Sequence, residues 1–242
     1  MLVLLHGGGA NAHWWDHLAP DLARRFHVVA LDFRGHGDSD WTEAITPGAF
    51  QRDLEALLQH LGTDRVVLAG HSMGARVALD HAACSHATRA LVLIDLARGA
   101  SGRSRRIARL ALALRRTYRS RDDAISRFRF VPPADHVAEA LRRDIAAKSL
   151  QREPDGRFGY KFDPRWFGLP ARPRPSLAQV TCLTLLLRGS ESSLLSREGA
   201  LETVAEIPRA RWLEIDGAGH HVQLDRPEAV LTAMQDFLAP FA

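Results

Sequence analysis

The stretch V-V-L-A-G-H-S-M-G-A-R-V-A-L at residues 66–79 places one serine, Ser72, between two glycines, where an apolar run gives way to a helical pattern of small residues. Val66, Val67 and Leu68 read as a buried strand, and Ala75, Val77, Ala78 and Leu79 as a helix packed close to it. A strand, a sharp turn and a helix in that order form a nucleophile elbow, with the serine hydroxyl exposed at the tip. Gly70 and Gly74 supply positions without a Cβ where such a strained turn packs closely. A serine hydroxyl is a poor nucleophile at neutral pH, so the chemistry needs a base within hydrogen-bond reach. It also needs donors for the charge that develops on the attacked oxygen.

The elements that must position these groups alternate along the chain. Residues 2–5 form a buried strand that runs into His6-Gly7-Gly8-Gly9. This loop has neither a phosphate-binding lysine nor the second glycine pattern of a dinucleotide site, so its use is to donate a backbone N–H near Ser72. A helix is expected over residues 13–25. Trp14 and Trp15 begin it, and one of them is placed to line a substrate pocket, with packing under the sheet as the alternative. Residues 28–32 form a second strand, followed by the polar loop D-F-R-G-H-G-D-S-D, whose charges brace the turn. Further strands are expected at residues 89–94, 182–187 and 211–215, and helices at 47–61, 196–207 and 228–238. Asp95 ends the strand after the elbow helix, on the side of a parallel sheet where ligands bind. Alternating strands and helices imply a mostly parallel α/β sheet covered on both faces. Between residues 97 and 175 the strand-like runs stop and basic helical segments take over, with Phe128, Phe130, Trp166 and Phe167 adding apolar surface. This insertion reads as a helical lid, returning through the stiff Arg172-Pro173-Arg174-Pro175 segment. The division is a core over 1–96, a lid over 97–175 and a second core part over 176–242.

Composition narrows the class. With 46% hydrophobic and 25% charged residues the chain is an ordinary globular protein. Cys84 and Cys182 lie in apolar segments and are expected as buried thiols, not a disulfide. The apolar runs are too short to span a bilayer and no secretory leader is read, so a cytoplasmic protein is expected. The net charge of +4 is carried almost wholly by arginine, much of it between residues 98 and 129. Without a nucleic-acid motif this reads as a solvated helical face, with neither nucleic acid nor membrane as partner. No metal or cofactor is expected.

Taken together, L-L-H-G-G-G, D-F-R-G-H-G-D-S, G-H-S-M-G, the helical insertion and G-A-G-H with Pro227 seven positions after its histidine resemble the α/β-hydrolase superfamily over nearly the whole chain. The resemblance implies His220 as the base, its neighbour His221 being the alternative, and the N–H groups of Gly8 and Met73 as the oxyanion hole. The acid of the triad departs from the common pattern. The loop where an aspartate is usual reads G-S-E-S-S, so Asp95, at a position some relatives use, is favoured over Glu191. The substrate pocket is assigned to Trp14, Phe128, Phe130 and Trp166. Relatives usually carry about two further strands before the one that opens this chain, beside residues 28–32. The expectation is either a late start or an edge covered by another chain, as in a homodimer. The implied activity is a serine hydrolase for a moderate-sized apolar ester, lactone or thioester. Alternatives are hydrolysis of a carbon–carbon bond in ring-cleavage products, and a binding protein on a hydrolase scaffold. A serine at the elbow argues against dehalogenase or epoxide hydrolase chemistry, whose elbows carry aspartate.

Overall fold

The computed structural model describes residues 1–43, 46–99, 102–114, 116–168 and 175–242, without the side chains of residues 102–105, 108–109 and 167–168. The first half of the chain forms β1 (Leu2–Leu5), α1 (Ala19–Ala23), β2 (Val28–Leu31), α2 (Ala49–His60), β3 (Val66–His71), α3 (Met73–Cys84) and β4 (Thr88–Ile94). An insertion follows with α4 (Gly102–Ala113), β5 (Thr117–Tyr118), α5 (Arg121–Arg127), α6 (Glu139–Lys148), β6 (Leu150–Arg152) and β7 (Phe158–Tyr160). The core resumes as β8 (Leu183–Gly189), α7 (Arg197–Glu206), β9 (Ala210–Ile215), α8 (Val222–Asp225) and α9 (Pro227–Leu238).

Six strands in the order β2-β1-β3-β4-β8-β9 make one sheet, and every pairing in it is parallel. Alternate residues serve opposite faces, as the pleat requires. Val3, Leu5, Leu68, Leu91, Leu93 and Leu186 pack with α3 on one side, whereas Leu2, Leu4, Val67, Val92 and Leu185 pack with Trp15, Leu22 and α9 on the other. The strand order reverses between β1 and β3, so the loops after these two strands open a crevice at the C-terminal edge, where ligands bind in such sheets.

Local signals explain most element ends. Ser196 caps α7 by accepting a hydrogen bond from the Gly199 N–H, and Pro227 opens α9, where a missing N–H costs nothing. The continuous helix expected over residues 13–25 is instead a 3-10 turn (Ala12–Trp15) and the short α1. Pro20 is the cause: its ring and missing N–H can begin a helix but not continue one. The insertion is not purely helical either, because β5, β7 and β6 form a small antiparallel sheet. The Pro154-Asp155-Gly156 sequence turns the β6–β7 hairpin with Gly156 at a φ of 81°, a turn signature inside a segment read as all helix. Cys84 is exposed, not buried, since it ends α3 at the surface; Cys182 is buried as expected. Residues 172–174 of the expected return segment, and the Phe167 side chain, fall outside the described residues.

The elbow glycines are required by contact. A Cβ on Gly70 would strike the backbone of Gly74, and one on Gly74 would strike the carbonyl of Leu5, because α3 leaves the sheet pressed against β1. Gly74→Ala is therefore expected to destabilise the fold by about 2 kcal/mol or more. Gly62→Ala, where a Cβ meets nothing within 4 Å, should cost only the roughly 1 kcal/mol of a left-handed backbone. Urea unfolding of the two variants checks the difference, and equal midpoints would refute the steric account.

Candidate active site

Three strand ends converge at the crevice. Ser72 follows β3 in the left-handed region, with φ 52°, and its backbone N–H donates to the Ile94 carbonyl of the neighbouring strand at 2.9 Å. Asp95 follows β4 and is also left-handed, with φ 49°. Non-glycine residues in that region are strained by about 1–3 kcal/mol each and persist only where their surroundings fix them. His220 lies in the loop after β9, where Gly217 makes the turn.

The side chains meet in line. The Ser72 Oγ lies 3.0 Å from His220 Nε2, and His220 Nδ1 lies 2.6 Å from an Asp95 carboxylate oxygen. Asp95 is fully buried, and its charge is met by three donors: the imidazole, the Ser192 hydroxyl at 2.6 Å and the Gly189 N–H at 3.3 Å. With Asp95 accepting at Nδ1, Nε2 is left to accept from the Ser72 hydroxyl. Glu191, the alternative acid, points elsewhere: it is half exposed and pairs with His136 at 3.3 Å. His221 also turns away from Ser72 and donates through Nε2 to the Pro132 carbonyl at 3.0 Å.

Gly8 and Met73 face the same cavity as Ser72. Met73 is the first residue of α3, so its N–H has no acceptor within the helix. Gly7 lies beside them, and a Cβ there would stand 2.7 Å from His71 Nδ1. Two cavities open from Ser72. One, of about 250 Å³, is walled by Trp14, Leu112, Val131, Pro132, Trp166 and Leu194 with the loop glycines. The other, of about 280 Å³, is walled by Met73, Leu79, Leu96, Pro175 and Leu177, with Arg76 and Arg98 at its side. Both arginines are in ion pairs, Arg76 with Asp80 and Arg98 with Glu202 and Glu206.

Of the expected pocket residues, Trp14 and Trp166 line the first cavity, while Phe128 and Phe130 do not. These two phenylalanines are buried behind Trp14, ring centroids 6.4 and 5.3 Å away, in a cluster with Ile125, Ile145 and Leu224. They set the position of the wall without forming it. Trp15 takes the other alternative and packs under the sheet. His6 is structural as expected, donating to the Gly7 carbonyl at 2.7 Å and accepting from the Phe33 N–H at 3.2 Å. In the polar loop Asp32 accepts from Ala12 at 2.6 Å and from Asp38 at 2.9 Å, which braces it against the turn after β1.

Sequence reasoning missed His71 and Ser192 as partners of the site. His71 is buried and donates from Nε2 to the His220 carbonyl at 3.0 Å, pinning the histidine loop to the end of β3. Leu112, Leu194, Val131 and Pro132 carried no motif, because which insertion residues face the crevice depends on tertiary packing.

A family model described as the alpha/beta hydrolase family matches residues 2–233. The chain belongs to that family. An esterase of Escherichia coli is 28% identical over 252 residues, covering 98% of this chain and 92% of its own length. The 2-(acetamidomethylene)succinate hydrolase of Mesorhizobium japonicum is 26% identical over 247 residues, covering 98% of this chain and 87% of its own. A crystal structure of E-2-(acetamidomethylene)succinate hydrolase superposes with a TM-score of 0.86 at 24% identity, covering 99% of this chain and 91% of that one. Hydrolysis is the reaction class that family membership supports. Among the described residues no helix is long and apolar enough to cross a membrane, and no cluster could hold a metal ion.

Burial governs four further histidines. Loss of hydration lowers His6 from 6.5 to about 4 and His36 to about 3. His221 falls to about 3, mainly by burial and then by the nearby His220, and His71 falls well below its ordinary value for the same two reasons. All four are neutral in the folded chain at neutral pH. Below about 6.5 the unfolded chain takes up protons that the folded chain refuses until about 4 or lower. Stability is thus fully present above 6.5 and lost as pH falls towards 4, by up to about 1.4 kcal/mol per pH unit for each histidine. Urea midpoints at pH 7, 6 and 5 should fall steadily; a flat profile would contradict the neutral, buried assignment.

Proposed function

We propose that the chain is a serine hydrolase in which Ser72, His220 and Asp95 act as nucleophile, base and orienting acid. The observation that carries this reading is the single imidazole bridging Ser72 Oγ at 3.0 Å and the buried Asp95 carboxylate at 2.6 Å. His220 takes the Ser72 proton as Oγ attacks an acyl carbonyl, and Asp95 stabilises the imidazolium that forms. The N–H groups of Gly8 and Met73 receive the oxyanion, where preorganised donors in a closed site lower the barrier most. His220 then protonates the leaving group, and the acyl-enzyme on Ser72 is released by a water that His220 deprotonates.

The substrate class follows from the walls. A carbonyl held at Ser72 has one part of the substrate in each of two cavities, both mainly apolar. This supports a carboxylic ester, lactone or thioester with a modest apolar group on each side. Trp14, Trp166 and Leu112 shape one side, and Leu79, Leu96 and Leu177 the other. The insertion between β4 and β8 acts as a lid, since it supplies Leu112, Val131, Pro132 and Trp166 to the first cavity.

The test is turnover of p-nitrophenyl esters of graded chain length, with lactones and a vinylogous diketone for carbon–carbon cleavage. Ser72→Ala should abolish it, Asp95→Asn should lower kcat by roughly 10³- to 10⁴-fold, and Glu191→Gln should leave it near wild type. Activity lost on Glu191→Gln and kept on Asp95→Asn would overturn the assignment. No Ser72-dependent turnover of any substrate would favour a binding protein on this scaffold.

A further inference from the structure

Residues 96–121 contain nine arginines and not one aspartate, glutamate or lysine. Arg98 is tied to Glu202 and Glu206 on α7. Arg103, Arg105, Arg106 and Arg109 lie on α4 itself. The same helix carries an apolar stripe. Ile107 is 58% exposed, Leu110 55% and Leu114, just past the helix end, 61%. Their spacing of three and four puts them on one face. The helix's other side is engaged with the core: Leu112 lines the Ser72 cavity and its Cδ2 lies 2.8 Å from where a Cβ on Gly9 would be.

The charge continues beyond the stripe. A surface groove formed by the residues that follow α4 in the chain is lined by Arg116, Thr117, Tyr118, Arg127 and Arg129. Asp123 pairs with Arg127 at 2.6 Å, and the Arg129 guanidinium reaches the Ser126 and Phe128 carbonyls. The groove therefore presents three guanidinium groups, with the Asp123 carboxylate on Arg127 and the Glu139 carboxylate acting on Arg129. Three exposed aliphatic side chains on one helical face make a patch of the kind that marks an interaction site. A nucleic acid would match the charge but leave the aliphatic groups without a partner. A bilayer with acidic headgroups matches both, as basic amphipathic helices do when they lie in the interface.

We infer that α4 and the adjoining arginine groove dock this protein on an anionic phospholipid surface, with Ile107, Leu110 and Leu114 entering the acyl boundary and the arginines pairing with phosphates. The contact is peripheral and sets aside the expectation of a chain without membrane contact. It does not rest on the proposed chemistry, and its readout is independent of turnover.

The experiment is flotation of the full chain with vesicles of phosphatidylcholine alone and with about one-third phosphatidylglycerol, a density that gives a strongly negative surface. The wild-type chain should float with the anionic vesicles only, and the bound fraction should fall sharply between ~0.1 M and ~0.5 M salt as the Debye length shortens. The pair Ile107→Asp and Leu110→Asp should lower the partition coefficient about tenfold or more, with circular dichroism and the urea midpoint unchanged. Arg116→Glu with Arg129→Glu should do the same at low salt. Three results would overturn the inference: no flotation, equal flotation with neutral vesicles, or binding insensitive to the aspartate pair. The last would mean a contact that any polyanion, nucleic acid included, could make.

Discussion

The hydrogen bond between His220 Nδ1 and the buried Asp95 carboxylate is the contact around which the crevice is built. A fully buried carboxylate is costly unless its lone pairs are met, and here an imidazole, a hydroxyl and a backbone N–H meet them. These donors come from the loop after β9 and the end of β8, so the acid ties the two strands on its far side to β4. On its near side the Ser72 N–H reaches the last carbonyl of β4. The histidine's own carbonyl is held by His71, the residue before the nucleophile. His220 and Ser72 are thus fixed relative to each other through β3 as well as through Asp95.

Two consecutive strands, β3 and β4, are each followed by a left-handed residue that is not glycine, and both residues stand in the proposed triad. The strain throws each side chain up from the sheet edge. It is tolerated because the backbone around it is over-determined: Gly70 and Gly74 let α3 lie against β1, and the Asp95 N–H donates to the Leu187 carbonyl of β8 at 2.8 Å. The insertion adds a second layer of constraint. Phe128 and Phe130 stack edge-on against Trp14, so that one indole is held by the insertion while belonging to the core.

The six sheet strands and their parallel sense were legible because each depends on short-range signals, apolar runs and glycine turns, whereas the convergence of His220 and Asp95 on Ser72 was legible only through the resemblance to a known superfamily. The insertion was legible as a boundary but not as a structure. The Pro-Asp-Gly turn lay inside a basic, helix-rich composition, and the β5–β7–β6 pairing joins residues some forty positions apart. Pocket lining failed for a related reason. Phe128 and Phe130 are large and apolar whether they face a cavity or stand behind it, and only the packing of α5 and α6 against Trp14 decides between these. Cys84 shows the same limit at a helix end, where an apolar neighbourhood in sequence is no measure of depth.

Ser192 lies in the loop after β8, and its hydroxyl is 2.6 Å from the Asp95 carboxylate. Two side chains ninety-seven residues apart therefore meet at one carboxylate oxygen, the same oxygen that faces the imidazole. The end of β8 and the loop after it thus contribute donors to a charge delivered by the neighbouring β4, so that one carboxylate is held jointly by two strand ends.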